Sequence, residues 1–225
     1  MKRNFRYFSM VLAIILMVSS VSVSYGKKAK NKPQVKYVFY LIGDGMGINA
    51  VSGTEIYNRY TGNGPEQVNF LHFPVRTQVN TNSASTLVTG SAAAGTSLAT
   101  GVKTYTGAIG VDTDRNPVSS IADWAKASGV GVGIATSVAI NHATPAAFYA
   151  HVSNRDSYDA ISRQFIHSDV VDFAAGAGFL TEKNVGLDAT FYEQEARGEG
   201  VKVFYGIWFV KWLILKASFG KLLIM

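Results

Sequence analysis

The 225-residue chain contains no cysteine. Disulfides, thiolate nucleophiles and cysteine-type zinc sites are therefore excluded, and a bound metal would need carboxylate, imidazole or hydroxyl ligands. Acidic residues are missing from both ends. Residues 1–26 and 207–225 each carry three Lys or Arg and no Asp or Glu. Setting those six aside from the 21 Lys+Arg leaves 15, equal to the 15 Asp+Glu, so the net charge of +6 is an end effect. The balanced body argues against a nucleic-acid partner held by a broad basic face. No internal repeat is present.

The first 26 residues have the layout of a secretory signal peptide. Lys2, Arg3 and Arg6 form a positive start, residues 10–18 are an unbroken apolar run, and Ser24 and Gly26 sit at the −3 and −1 positions of a cleavage site. That run is short for a bilayer span, which favours a cleaved signal over an uncleaved anchor. Either implies export, to the periplasm or the cell exterior. Residues 27–35 are lysine-rich and read as a solvated linker.

Residues 207–225 form an anomalous apolar, basic tail. Lys211, Lys216 and Lys221 lie five apart, which turns about 140° per step on a helix and defines no single basic face. An interfacial membrane helix needs segregated faces. The tail therefore fits an out-of-frame continuation after Gly206 better than a membrane segment, and no stable membrane partner is expected.

Residues 36–206 read as α/β, a mainly parallel sheet flanked by helices. Residues 36–42 (KYVFYLI) predict a buried strand ending at Gly43-Asp44-Gly45, and residues 75–79 a second strand. Residues 91–100 are alanine-rich and stop at Gly101, which predicts a helix. Ser120 and Asp123 have capping-box spacing for a helix through Ala127. Residues 131–138 predict a core strand, followed by a loop and a helix from about Pro145 into His151.

Three constellations carry chemistry. Asp44, between glycines past a strand end, suits a metal ligand because the backbone turns sharply around a fixed carboxylate. A dinucleotide-binding glycine loop fits poorly, since Asp44 would oppose a pyrophosphate and the third glycine is misplaced. Ser91 opens a helix, where the dipole and free N–H groups stabilise an alkoxide and attract phosphate. A plain cap on an alanine-rich core helix gives the same local pattern. A P-loop is excluded because Thr96 occupies the position of the phosphate-gripping lysine. Thr144 suits a hydroxyl ligand to Mg²⁺, and His142 a hydrogen bond to a metal-bound water. Arg155, eleven residues on, offers a planar fork for two phosphate oxygens, though alone it also fits a surface ion pair. His151 reads as a packed or capping histidine.

In order and spacing, IGDGMG (42–47), TGSAAAGTSLATGVKTYTGAIGVD (89–112) and ATPAAFYAHVSNR (143–155) resemble the alkaline phosphatase family. The resemblance runs from about residue 36 to residue 205. It implies an α/β sandwich, a two-zinc site (Zn²⁺) with adjacent magnesium (Mg²⁺), and phosphate-monoester substrates. Asp44 falls on the carboxylate bridging one zinc and the magnesium, Ser91 on the nucleophile that becomes phosphoserine, Thr144 on a magnesium ligand, Arg155 on the phosphate clamp. His142 matches a magnesium-neighbouring position. A full-length enzyme of this kind would be compatible with a homodimer.

Two departures stand out. Gly90 replaces an aspartate that relatives use to hold the arginine, so Arg155 is expected to be looser. The chain is also about half the usual length and lacks the later zinc-binding residues, so it is expected to be a truncated product, inactive by itself. A phosphodiesterase of the same superfamily is a competing reading, as is a non-catalytic phosphate-binding or membrane-associating fragment. The sulfatase-type nucleophile motif is absent.

Overall fold

A computed structural model describes residues 35–182, 186–205 and 222–224, the last as backbone. The signal segment, nearly all of the linker and most of the tail lie outside the described residues. Residues 35–42 belong to an amino-terminal unit separate from the one that begins at Gly43.

The second unit is built from short parallel strands and the helices that connect them. Helix α1 is Ile48–Thr61, starting after Gly47 and closed by Gly62 with φ 68°. A turn of 3₁₀ helix covers Asn69–His72. Helix α2 is Ser91–Thr100, between Gly90 and a left-handed Gly101. Helix α3, Ile121–Ala127, has the full capping box: Ser120 accepts from Ala122 N and Asp123 N, and the Asp123 carboxylate accepts from Ser120 N. Strand β1 is Gly133–Ala135, short helix α4 is Ala143–Ala146, and α5 is Tyr158–His167. Strand β2, Phe173–Ala175, is followed by α6, Ala189–Gly198, and β3, Lys202–Phe204. Strand β4 is Leu222–Ile224.

The sheet order is β1-β2-β4-β3, with every pairing parallel. Gly133 stands opposite Phe173, Phe173 opposite Leu222, and Leu222 opposite Lys202. The tail thus supplies the strand between β2 and β3. This is the expected α/β class with a parallel sheet.

The core gathers Ile109, Ile140, Ile161, Phe165 and Tyr192, all fully buried. Edge-on ring contacts run through it, Tyr149 to Phe165 at 5.4 Å and Phe165 to Phe179 at 6.0 Å between centroids. Asn141 is the buried polar hinge of this core. Its Nδ2 donates to Ser162 Oγ (2.9 Å) and Leu180 O (2.8 Å), and its Oδ1 accepts from Leu180 N (2.8 Å). A buried amide is stable only when its donors and acceptor are satisfied in this way. The loop after β1 is thereby fixed where His142 and Thr144 emerge.

Three local expectations differ from the structure. Residues 36–42 belong to no strand, and Val38 is 83% exposed. Residues 75–79 likewise form no ladder among the described residues, with Val75 84% exposed. A parallel strand exists through neighbours on both sides, which a local apolar run does not supply. The helix expected from Pro145 to His151 is the four-residue α4 continued by turns, with Phe148 N bonded to Pro145 O and Tyr149 N to Ala146 O.

Candidate active site

Asp44 sits at the tip of a tight turn. Met46 N donates to Gly43 O at 3.1 Å and Gly47 N to Gly45 O at 2.9 Å. Gly45 has φ +73°, a region L side chains rarely occupy, so the turn that presents Asp44 requires glycine there. The carboxylate is exposed and engaged at both oxygens: Ser91 Oγ donates to Oδ1 at 3.1 Å and Thr144 Oγ1 to Oδ2 at 2.8 Å.

Ser91 is the first residue of α2, with Gly90 as the cap. Its hydroxyl makes no capping bond, so it faces the site instead of closing the helix. Behind it the helix packs closely on α4 through small residues. A Cβ at Gly95 would stand 3.1 Å from Ala147 Cβ and 3.6 Å from Thr144 Cα, and Ala92, Ala143 and Ala146 are buried. The alanine-rich sequence thus sets Ser91 and Thr144 on adjoining backbones.

Arg155 is placed by the loop over residues 101–112. Ile109 and Val152 form an antiparallel bridge, and Arg155 N donates to Gly107 O at 2.7 Å. Gly110, at φ +60°, lies under Ala150 O so closely that a Cβ would collide with that oxygen. His151 Nδ1 bonds Gly110 O at 2.6 Å, and Gln164 holds the His151 backbone from both sides. His151 is a structural clamp, as expected. Gln164 carried no sequence signal for this role, and Gly110 none beyond its place in the stretch over residues 89–112.

Arg155 Nη2 meets His142 Nε2 at 3.1 Å. No carboxylate forms an ion pair with Arg155 among the described residues. His142 Nδ1 is buried and has no hydrogen-bond partner. Burial, and next the charge of Arg155, hold the His142 pKa below the ordinary histidine value. The hydrogen bond from Thr144 is the main influence holding Asp44 below the usual carboxylate range, with Ser91, His142 and Arg155 adding to it. All five expected site residues therefore converge, as the Asp44–Ser91–Thr144 cluster and the neighbouring His142–Arg155 pair.

The α/β scaffold thus gathers a helix-start serine, a carboxylate, a threonine, a histidine and an arginine in one region. The family comparison is specific: the alkaline phosphatase model matches residues 35–175, well over half of the chain, and the chain belongs to that family. It is 35% identical over 174 residues to alkaline phosphatase 4 of Bacillus subtilis, covering 73% of this chain and 38% of that protein. It is similar to the solved alkaline phosphatase of the Antarctic bacterium TAB5, with a TM-score of 0.66, 30% identity, and coverage of 81% of this chain and 50% of that one. A variant of the TAB5 enzyme with Mg bound matches with TM-score 0.66 and 28% identity over the same shares. The chain spans half or less of the length of these relatives.

Proposed function

We propose that this chain is exported and carries the nucleophile and phosphate-clamping part of a phosphate-monoester hydrolase, with Ser91 attacking phosphorus. The observation that supports this most is the Asp44 carboxylate joining Ser91 and Thr144, with the Arg155 fork alongside.

The residues fit a magnesium ion. Asp44 and Thr144 offer hard oxygen donors that already meet at 2.8 Å. When bound, Mg²⁺ would stabilise negative charge developing on the reacting oxygens. The residues do not fit a zinc shell: no group of three or more His, Cys, Asp or Glu is placed to hold a metal among the described residues.

In the reaction Arg155 holds two non-bridging phosphoryl oxygens as a fork. Ser91 Oγ forms the bond to phosphorus as the ester oxygen departs; the hydroxyl proton passes through solvent to that oxygen, which leaves as the alcohol, and water then hydrolyses the phosphoserine to release inorganic phosphate and restore the Ser91 hydroxyl. Free N–H groups at the start of α2 favour the phosphate charge. Asp44, with its lowered pKa, is a weak base, so it orients the Ser91 hydroxyl and does not take its proton.

The test has two parts. Calorimetric titration with inorganic phosphate in Mg²⁺ buffer is expected to show binding that Arg155→Ala abolishes. Turnover of p-nitrophenyl phosphate with Zn²⁺ and Mg²⁺ is expected to stay at background, since no group of side chains that could hold an activating zinc stands among the described residues. Phosphate binding unchanged in Arg155→Ala would overturn the site. Brisk turnover lost in Ser91→Ala would overturn the claim that the chain is inactive by itself.

A further inference from the structure

We infer that His142, as the neutral tautomer protonated at Nδ1, is the positioning residue that holds the Arg155 fork in this chain. The inference rests on the phosphate-clamp reading of Arg155 and deepens it.

The argument begins with donors and acceptors. A guanidinium has five N–H donors and no acceptor, so the contact between Arg155 Nη2 and His142 Nε2 can only run from arginine to a ring lone pair. The proton of the neutral ring then lies on Nδ1, the atom that is buried and unpartnered. One ring nitrogen accepts from the arginine and the other presents a donor. That assignment makes His142 unable to ligate a metal through Nδ1.

The surroundings leave the role to His142. Gly90, directly before Ser91, has no side chain to offer, and the space a Cβ would occupy there is open, with Thr106 Cγ2 3.9 Å away. No acidic side chain pairs with Arg155 among the described residues. The Arg155 backbone is already pinned by Gly107 O. What remains free is the long side chain, and among the described residues its side-chain hydrogen bond is to His142. His142 in turn caps α4 by its backbone, so its ring projects from a fixed point. A flexible arginine loses rotamer freedom when it grips phosphate, and a pre-formed bond to a rigid neighbour lowers that loss.

Side-chain ¹⁵N spectroscopy of the whole chain tests this without requiring activity or phosphate. A long-range ¹H–¹⁵N spectrum of the wild-type protein is expected to show His142 Nδ1 as the protonated ring nitrogen. The Arg155 guanidinium, assigned by its loss in Arg155→Lys, is expected to give slowly rotating Nη signals in wild type. Those signals should persist in His142→Gln, which keeps an acceptor near the Nε2 position, and average out in His142→Leu. Phosphate affinity should weaken about tenfold in His142→Leu and largely recover in His142→Gln, the scale of one charge-assisted bond. A proton on Nε2, or Arg155 signals unchanged in His142→Leu, overturns the inference. The tautomer measurement needs no variant, so a misfolded His142→Leu leaves it decisive. Phosphate binding that survives Arg155→Ala would instead overturn the clamp reading itself.

Discussion

Thr144 Oγ1 donates a 2.8 Å hydrogen bond to Asp44 Oδ2 across a separation of 100 residues. The same carboxylate accepts from Ser91 47 residues on. One exposed side chain thus ties together the turn over 43–47, the start of α2 and the short helix α4. Such ties are weak individually in water, so their geometry is what a bound ion would consolidate.

Magnesium removal and substitution at Asp44 should therefore be linked. Adding Mg²⁺ to the metal-free protein is expected to raise its melting temperature by about 5–10 °C, as about 2–3 kcal/mol from a ligand at roughly a hundred times its dissociation constant would do. Asp44→Asn should abolish the shift, and Thr144→Val should reduce it. Thermal melts with and without Mg²⁺ check this, and an undiminished shift in Asp44→Asn would sink the assignment.

Gly110→Ala is expected to destabilise the fold by about 1–3 kcal/mol or more, from the left-handed backbone and the collision with Ala150 O. Urea denaturation gives the number. Gly107→Ala shares the positive φ but has open space around it, so it should cost less.

Ser120 does two jobs. It caps α3, and its Oγ donates to Phe148 O at 2.8 Å, linking the cap to the turns after α4. Ser120→Ala should cost about 2–3 kcal/mol, combining a lost cap with an unsatisfied acceptor. Asp123→Ala removes one side of the box and should cost about 1 kcal/mol. Equal losses in the two variants would show that the Phe148 link contributes nothing.

High pH should weaken the packing of α6. Burial, with help from the Asp159 carboxylate that its hydroxyl meets at 3.1 Å, pushes the Tyr192 phenol up from 10.0 to about 12. A raised folded-state pKa stabilises the protonated form. That contribution is complete below pH 10 and is lost as pH rises towards about 12. Denaturation midpoints across this range should fall less steeply for Tyr192→Phe. Parallel curves for the two proteins would contradict the assignment.

The elements legible in the sequence are those whose ends are written locally. Glycines on both sides bracket α2, and the Ser120–Asp123 pair announces α3, so both appear where expected. The site was legible for a different reason: Asp44, Ser91, Thr144 and Arg155 sit in motif blocks whose order identifies a family. Residues 36–42 and 75–79 were not legible as the largely exposed, strandless segments they are, because strand formation depends on partners elsewhere in the chain. Helix α1 escaped because none of its residues is buried, so no apolar stripe marks it. The bond from Arg155 to His142 was also hidden, since Gly90 suggested a loose arginine and the spacing of 13 residues fixes no contact.

Strand β4 has a consequence for how the protein is made. Strand β3 precedes it in the chain, yet β3 pairs only with β4 among the described residues. Until residues 222–224 have been synthesised, β3 has no strand to pair with among the described residues. Closure of the carboxyl-terminal side of the sheet therefore depends on residues 222–224 being present.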